Sequence, residues 1–446
     1  MTEAATQVES VDQLVDYFRD GETPPAQWRV GTEHEKIGLY ADTLERVPYE
    51  GERGIGVLLD RIAHSDGWER VEEAGRLIAL SKDAASITLE PGGQLELSGA
   101  PLATCAETCR EFNRHVDLVK QQSADLGIVW LALGIDPIHA VSEIPRMPKG
   151  RYQIMRDYLP GRGERALDMM HATATVQANF DFSDETDMAN KLRMAMACSP
   201  ITSAIFANSS VSRGAPSGLV SERVEIWRAV DPDRCGILPF VFEADFGYRE
   251  YVDWALDVPM FFLVRGDTYL PAQGTTFRDF FEKGFEGERP TLADWNLHLT
   301  TLFPEVRLKR FIEVRGSDCV SPELICAVPA LWKGLLYDAE ACQSAWEMVR
   351  AWDAEDREAS LESAAREGLG GRVAGRAMLA WARELLEIAD GGLSRMSQQT
   401  GHDERSFLEP IAALLERGQS PGERILEQWR GPWSGSIERL IEFARY

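Results

Sequence analysis

Residues 31–40 read GTEHEKIGLY, and this short stretch decides how the rest of the chain is interpreted. Successive side chains of a β-strand point to opposite faces, so Glu33 and Glu35 fall on the same face. The other face carries a mixed polar set, Thr32, His34 and Lys36. Neither face is a clean apolar surface, which is unusual for a strand inside a protein body. We predict a strand over about 29–40 that displays two neighbouring carboxylates.

Three further segments, at residues 86–98, 175–183 and 310–318, alternate in the same way. Their polar faces combine carboxylates with amide, hydroxyl or guanidinium groups: Gln94, Glu96 and Ser98 in the first, Gln177, Asn179 and Asp181 in the second, Glu313 and Arg315 in the third. Glu90 lies just across a Pro-Gly-Gly turn from the first of these faces. The residues behind the polar faces are mostly apolar, which predicts strands with one face in a core.

Two interpretations of these polar faces stay open. Alternation of this kind is typical of antiparallel strands with one face in solvent. Solvent faces usually mix Thr, Lys and Ser, however, whereas these four segments pair Glu with Glu, Gln, Asn or Arg. Unpaired carboxylates so close together would repel one another, and such oxygen donors are the ligands of Mg²⁺ in sites that bind phosphates. The pattern favours a sheet whose concave face holds two or three Mg²⁺ ions, with Mn²⁺ as an alternative.

Basic residues cluster beside the same segments. Three groups stand out in so acidic a chain: Arg307, Lys309 and Arg310 before the Glu313 segment, Lys149, Arg151 and Arg156 farther upstream, and Arg223 with Arg228. Salt bridges to surface carboxylates would explain each group equally well. Guanidinium groups near metal-binding carboxylates are also what phosphoryl transfer requires, because they neutralise the charge of the transferred group.

The composition excludes several classes of function. The 446 residues include 72 Asp and Glu but only 47 Lys and Arg, which gives a formal net charge of −25. Binding to nucleic acid or to an anionic membrane needs a basic surface, so neither partner is expected. The longest apolar run, residues 126–135, is about half a membrane span. The sequence also lacks the P-loop, GxGxxG and GxSxG signatures.

The seven cysteines and the amino-terminal sequence predict where the protein resides. The cysteine count is odd, no CxxC pair occurs, and the first ten residues, MTEAATQVES, lack the apolar core of a secretory signal. These features predict reduced thiols in a cytoplasmic protein, with each cysteine buried as a small apolar side chain.

The order of the expected elements predicts an α+β fold. Strand-like and helix-like segments do not alternate regularly, so an antiparallel sheet is expected rather than a doubly wound parallel one. Residues 221–280 suggest a mixture of strands and loops. From about residue 322 the chain is almost all helix-like. We predict a catalytic α+β body over 1–321 and a helical C-terminal portion over 322–446 that packs on it.

Several long blocks in order along the chain resemble the plant-type glutamate–cysteine ligases, which also occur in many proteobacteria. These blocks are GTEHEKIGLY, LEPGGQLELSGAPL, MPKGRYQIMRDYLP, TVQANFDFS and TTLFPEVRLKRFIEVRGSD. The resemblance implies a glutamine-synthetase-like fold, in which a curved antiparallel sheet forms a funnel with helices outside it. It also implies a reaction: ATP phosphorylates the γ-carboxylate of L-glutamate, and the amine of L-cysteine attacks the acyl phosphate. The product, γ-glutamylcysteine, is the first intermediate of glutathione biosynthesis.

Carried over residue by residue, the resemblance implies roles for the residues that the strand pattern singles out. The implied metal ligands are Glu33, Glu35, Glu90, Glu96, Gln177 and Glu313. The catalytic pair would be Glu313 and Arg315, with Arg315 stabilising the transferred phosphoryl group. Nucleotide phosphates would bind Lys309 and Arg310. The substrate-binding candidates are Arg223, whose fork suits the α-carboxylate of glutamate, and Arg151 and Arg156.

The resemblance leaves other readings open. A related carboxylate–amine ligase with a different acceptor amine would have the same strands, and a non-catalytic relative would have lost some of the carboxylates. The expected partners are ATP, glutamate and cysteine, with the protein a monomer or a homodimer. Plant members carry a regulatory disulfide near a GxTFRxF block. Ala272 and Gly287 stand in that region here, so the resemblance implies that this switch is absent, and Cys109 has no obvious partner.

Overall fold

The fold was obtained as a computed structural model that describes residues 6–266 and 268–446. Within these residues the α-helices are α1 (Val11–Arg19), α2 (Ile55–Asp66), α3 (Cys105–Ser123), α4 (Gly150–Tyr158), α5 (Ala166–Ala172), α6 (Glu185–Ile205), α7 (Glu222–Arg228), α8 (Tyr248–Asp257), α9 (Phe277–Lys283), α10 (Leu292–Leu299), α11 (Pro322–Ile325), α12 (Ala327–Leu336), α13 (Ala339–Val349), α14 (Ala354–Glu367), α15 (Met378–Thr400), α16 (Glu409–Arg417), α17 (Pro421–Arg430) and α18 (Ile437–Ala444). None of these helices combines the length and the apolar character needed to cross a bilayer.

The strands of the same residues are β1 (Val30–Tyr40), β2 (Glu69–Glu73), β3 (Arg76–Lys82), β4 (Ala85–Leu89), β5 (Leu95–Ser98), β6 (Ile128–Leu131), β7 (Val176–Phe180), β8 (Val211–Ser212), β9 (Ala215–Pro216), β10 (Cys235–Gly236), β11 (Phe262–Arg265), β12 (Thr268–Pro271), β13 (Phe303–Pro304), β14 (Val306–Leu308), β15 (Ile312–Val314), β16 (Arg372–Val373) and β17 (Arg376–Ala377). One large sheet dominates, in the order β14-β15-β7-β1-β5-β4-β3-β2, and β6 also pairs with β1. All of its pairs are antiparallel, so the predicted α+β fold with an antiparallel sheet is confirmed.

The register of this sheet gathers the predicted polar faces into one surface. Glu33 lies opposite both Ser98 on β5 and Gln177 on β7, and Glu35 lies opposite Glu96. Residues directly opposite in an antiparallel pair project from the same face. On the far side of β7, the β15 and β14 pairings extend this surface through Asn179, Glu313 and Arg307. Four segments far apart in sequence therefore build one polar face.

The opposite face of β1 is covered by helix α3. His34 and Lys36 are fully buried there, and the Lys36 Nζ atom lies 2.8 Å from Nδ1 of His34. The His34 ring packs edge-on against Phe112 of α3, with a centroid distance of 4.5 Å. The mixed composition that makes β1 unusual as a sequence thus reflects two different environments, a cavity on one side and a buried helix interface on the other.

Helices α11–α18 lie beyond Pro322, where the sequence is helix-like. A single hydrophobic cluster includes Val176 of β7, Met194 of α6 and Leu331 of α12, so the sheet and the later helices share a core. The division into residues 1–321 and 322–446 stays a prediction.

Residues 221–280 differ from the sequence prediction, because α7, α8 and α9 lie there in addition to short strands. Each of these helices is only seven to ten residues long, but two begin with a local cap. The Ser221 side chain accepts a hydrogen bond from the backbone N–H of Val224, and Thr276 caps α9 through Asp279. Such caps satisfy N–H groups that a short helix leaves unpaired, and they stabilise helices whose apolar periodicity is too short to recognise.

One cysteine prediction is wrong. Cys109 on α3 and Cys326, between α11 and α12, form a disulfide with a Cα–Cα distance of 5.5 Å. The two residues are 217 positions apart, so only the tertiary packing of the later helices against α3 brings them together. The other five cysteines are free thiols, four of them buried. The implied absence of the plant-type pair near Ala272 and Gly287 stays a prediction.

We predict that this disulfide contributes substantially to stability. It closes a loop of more than 200 residues in the unfolded chain, so its reduction should lower the free energy of unfolding by about 3–5 kcal/mol. Urea unfolding of the wild type with and without reductant, and of Cys326→Ala, measures this loss. Cys342→Ala, which removes a buried free thiol, is the matched control and should respond to reductant as the wild type does. An unchanged unfolding midpoint after complete reduction would contradict the prediction.

Candidate active site

A cavity of about 350 Å³ opens over the polar face of the sheet. Its acidic lining comes from the strands β1 and β5 and the turn before β5, namely Glu33, Glu35, Glu90 and Glu96. Its basic lining comes from α4, β14 and the residues that flank β15, namely Arg151, Arg307, Lys309 and Arg315. Aromatic residues supply part of the wall, namely Tyr152, Trp227, Phe262 and Phe303. The cavity thus has an acidic half, a basic half and a partly apolar wall.

Three carboxylates of the acidic half, those of Glu33, Glu35 and Glu96, are each held by a neutral donor. Asn179 Nδ2 donates to Glu33 Oε1 at 2.8 Å, and Thr88 Oγ1 donates to Glu96 Oε2 at 2.7 Å. The backbone N–H of Thr175 donates to Glu35 Oε2 at 3.1 Å. These donors fix the direction of the side chains without neutralising their charge.

Burial, and after it the uncompensated charge of neighbouring carboxylates, raises the pKa of these carboxyl groups. Burial, followed by repulsion from Glu313 and Glu96, raises the pKa of Glu33 to about 7. Burial, Glu90 and Glu96 raise the pKa of Glu35 well above its usual value, and burial with Glu90 does the same to a smaller degree for Glu96.

A hard divalent cation fits this donor set, since it would bind oxygen ligands and cancel their repulsion. In residues 6–266 and 268–446, no three His, Cys, Asp or Glu side chains stand close enough to form a ready-made metal site. Part of the coordination shell would therefore have to come from water or substrate, as is usual for Mg²⁺.

The basic half is organised around Glu313, which is fully buried. Arg307 contacts both carboxylate oxygens, with Nη2 at 2.8 Å from each, and Lys309 Nζ lies 2.9 Å from Oε2. Arg315 pairs with the same carboxylate and also donates through Nη1 to Oε1 of Gln177 at 2.7 Å. Burial acts to raise the pKa of Glu313, but these three cations overcome it and hold the pKa well below its usual value. In this arrangement Glu313 orders cations rather than facing the acidic half.

Arg223 lies in a small recess beside the cavity, which it shares with Trp227, Glu305 and Arg315. Its guanidinium donates to the backbone carbonyl of Arg315 at 3.0 Å, and its Nε atom has no protein partner in the described structure. Glu305 faces the same recess and accepts a hydrogen bond from Ser199. Burial raises the pKa of Glu305. The sequence singled out Arg223 but gave no signal for Glu305.

The structure does not bring every predicted residue to the cavity. Arg156 lies on α4 beyond the lining and donates to Gln153. Arg310 lies outside the cavity as well, where its guanidinium stacks on Tyr17 at 4.3 Å from the ring centroid. The roles of these two residues stay predictions, and their positions give no support to direct contact with a ligand in the cavity.

Two kinds of lining residue were not assigned a role from the sequence. Arg307 alternates with Lys309, so the period of two that identified the other strands also places both on the Glu313 face. Trp227 follows Arg223 by four residues, one turn along α7, but that helix was not predicted. Phe262 and Phe303 arrive from distant strands, and no local pattern distinguishes them from core residues.

Comparison with known proteins identifies the family. Residues 29–442 match the family described as Glutamate-cysteine ligase family 2. The chain belongs to this family. Among its curated members, the chloroplastic glutamate–cysteine ligase of Medicago truncatula is 44% identical over 453 residues, which covers 99% of this chain and 86% of that protein. Glutamate–cysteine ligase B of Oryza sativa subsp. japonica is 43% identical over 449 residues, covering 100% and 88%. The resemblance seen in the sequence is thus confirmed.

A solved structure supports the fold of the family. The crystal structure of the glutamate–cysteine ligase from Francisella tularensis in complex with AMP matches with a TM-score of 0.56. The match covers 93% of this chain and 86% of that one at 12% sequence identity. At so low an identity the match speaks for the fold alone.

The comparisons contradict the expected cytoplasmic location. The curated plant relatives, including those of Medicago truncatula, Oryza sativa and Arabidopsis thaliana, are named as chloroplastic enzymes. The cytoplasmic prediction rested on composition and on the amino-terminal residues. These features argue against secretion, but they do not distinguish the cytoplasm from the chloroplast. It is therefore wrong on this comparison.

We predict that the acidic half destabilises the metal-free protein as pH rises. A carboxyl group whose pKa is raised by folding favours the fold below its unfolded pKa, 4.5 for Glu33, and this contribution is lost as pH rises through about 7. The free energy of unfolding of Glu33→Gln should therefore be about 3 kcal/mol higher than that of the wild type near pH 8, and similar to it near pH 4.5. Urea unfolding in chelator measures both values.

The control for this prediction is Glu442→Gln, an exposed carboxylate on α18, which should change stability little at either pH. If the free energies of unfolding of Glu33→Gln and the wild type differ by the same amount at both pH values, the difference does not come from the ionisation of Glu33 and the prediction is contradicted.

Proposed function

We propose that this protein is an ATP-dependent ligase that joins the γ-carboxylate of L-glutamate to the amine of L-cysteine. The observation that carries the proposal is one cavity in which uncompensated carboxylates face a set of cations held by Glu313. ATP and a carboxylate substrate are both negatively charged and repel each other. A reaction between them needs both halves of the cavity, because metal ions held by the acidic half and the cations of the basic half would neutralise this charge together. The family membership of the chain supports the choice of substrates. The product would be γ-glutamylcysteine, the first intermediate of glutathione biosynthesis.

The acidic half would hold Mg²⁺, two or three ions, through Glu33, Glu35, Glu90 and Glu96, with Gln177 as an amide oxygen donor. When bound, the metal supplies Lewis-acid neutralisation of the nucleotide phosphates. Glu313 has three cationic partners and no open oxygen, so it would join a metal only if one of these contacts were exchanged. The raised pKa values of the acidic half are consistent with cation binding, since a cation would restore the ionised forms.

The cations around Glu313 would stabilise the phosphoryl group during transfer. The γ-carboxylate oxygen of glutamate attacks the γ-phosphorus of ATP, and ADP leaves. Arg315 is oriented by Glu313 and Gln177, and Lys309 and Arg307 lie beside it. Preorganised guanidinium groups lower the barrier because they face developing charge without reorientation. In the second step the cysteine nitrogen attacks the acyl carbon, and phosphate leaves.

The substrate amino acids would bind at the recess and along α4. Arg223 offers a guanidinium with an unpartnered Nε, which suits a carboxylate. Arg151 lines the same cavity as Glu90 and Glu96 and would donate hydrogen bonds to a second substrate carboxylate. The aromatic wall would keep bulk water from an acyl phosphate, which water would otherwise hydrolyse.

A different acceptor amine is the second candidate, because the metal and phosphate groups would be unchanged. Incubation with ATP, Mg²⁺, glutamate and a panel of amines separates the two. We expect ADP release that depends on glutamate and is fastest with cysteine, together with γ-glutamylcysteine detected by mass spectrometry. ADP release with another amine but not with cysteine would favour the second candidate, and no release with any amine would refute the ligase.

Glu35→Gln should abolish turnover, by a factor of at least about 10³, because it removes a charge from a shared cation site. The amide oxygen can still accept the hydrogen bond from Thr175, so the fold should persist, as circular dichroism would verify. Glu45→Gln, an exposed residue in the turn after β1, is the matched control and should retain wild-type rates. Near-normal turnover by Glu35→Gln would refute the placement of the metal.

A further inference from the structure

Glu73, at the end of β2, links three segments that meet outside the cavity. Its Oε1 atom accepts a hydrogen bond from the backbone N–H of Gly150, the first residue of α4, at 2.5 Å. Its Oε2 atom accepts a hydrogen bond from the Tyr269 hydroxyl on β12 at 3.3 Å. One carboxylate on the β2–β3 hairpin therefore joins the start of a helix to a second hairpin.

Helix α4 has no cap of its own. Lys149 precedes the helix without a capping side-chain hydrogen bond, and the first turn contains no acidic residue. The first N–H groups of a helix need acceptors, and the positive end of the helix dipole favours a carboxylate. Glu73, on the distant strand β2, supplies both the hydrogen-bond acceptor and the negative charge.

The contact is closely fitted. A Cβ atom at Gly150 would lie 3.0 Å from Glu73 Oε1 and 3.1 Å from the ring of Tyr269, closer than side chains usually approach. The Tyr269 ring in turn packs edge-on against Phe262, which lines the cavity, with a centroid distance of 5.1 Å. Glycine at position 150 thus allows the hairpins to close onto the helix.

The first turn of α4 carries two residues of the cavity lining, Arg151 and Tyr152. From the inner side, Lys149 Nζ donates to the carbonyl of Leu89 at 2.8 Å, and the Tyr152 hydroxyl donates to the same carbonyl. Leu89 directly precedes Glu90. The start of α4 is therefore held from the inside by the Leu89 carbonyl, next to Glu90 in the chain, and from the outside by Glu73.

We propose that Glu73 is a positioning residue for amino-acid binding, which acts by holding the start of α4 so that Arg151 and Tyr152 stay over the cavity. Glu73 itself does not line the cavity. This inference rests on the proposed function, because it assigns Arg151 and Tyr152 to an amino-acid substrate.

The test is steady-state kinetics of Glu73→Ala. The KM for glutamate or for cysteine should rise roughly three- to ten-fold, while kcat stays within about two-fold and the KM for ATP is unchanged. Glu73→Gln keeps an acceptor oxygen and should restore part of the affinity. Gly150→Ala crowds the same contact and should raise the same KM. Unchanged KM values in Glu73→Ala, or a fall in kcat alone, would overturn the proposal.

Two controls separate this outcome from other failures. Glu72→Ala alters the neighbouring residue, which pairs with Arg70 at 3.1 Å on the exposed side of the hairpin, and should leave all constants unchanged. Hydrogen exchange measured without substrate should be faster in the first turn of α4 in Glu73→Ala than in wild type. If the wild type itself fails to release ADP, the proposed function fails, and the exchange result still decides whether Glu73 holds α4. Equal exchange rates would refute that role.

Discussion

Repulsion between carboxylates on one face of a sheet is the constraint on which the rest of this structure depends. Glu33, Glu35 and Glu96 are fixed by neutral donors, so their charge is not cancelled within the acidic half. Glu313, a short distance away on the same face, is surrounded by three cations. The same face of the sheet thus presents uncompensated negative charge in the acidic half and positive charge around Glu313. In the proposed function, a nucleotide with its cations would bind between them.

The antiparallel sheet makes this arrangement by its register rather than by any single motif. β1 lies between β5 and β7, and each neighbour contributes a polar residue opposite a glutamate of β1. β15 extends the same face by pairing with β7. Segments that are more than 130 residues apart in sequence, such as those of Glu33 and Gln177 or of Asn179 and Glu313, are thereby paired directly. Helices α3 and α12 close the opposite side, so the carboxylates rest on a rigid core.

The strand periodicity predicted the sheet face and most of the acidic half, because a period of two assigns faces without knowledge of the tertiary fold. It could not predict which carboxylate would be paired: Glu33 and Glu313 look alike in sequence, yet their pKa values shift in opposite directions. The roles of Arg310 and Arg156 stay predictions, and both side chains lie outside the cavity, because proximity in sequence says little about where a side chain points after a turn. The disulfide of Cys109 and the recess residue Glu305 depend on contacts between distant elements, and no local pattern marks them.

The two faces of β1 also bear on how the chain can misfold. A shift of one residue in the pairing of β1 would exchange its faces, so that Glu33 and Glu35 would enter the helix interface and Lys36 would point into the cavity. The first outcome is costly, since the two carboxylates would take the place of His34 and Lys36 in the buried interface against Phe112. The Glu33 and Glu35 carboxylates, which the proposed function uses for ligand binding, therefore also raise the free energy of a sheet in which β1 is paired out of register.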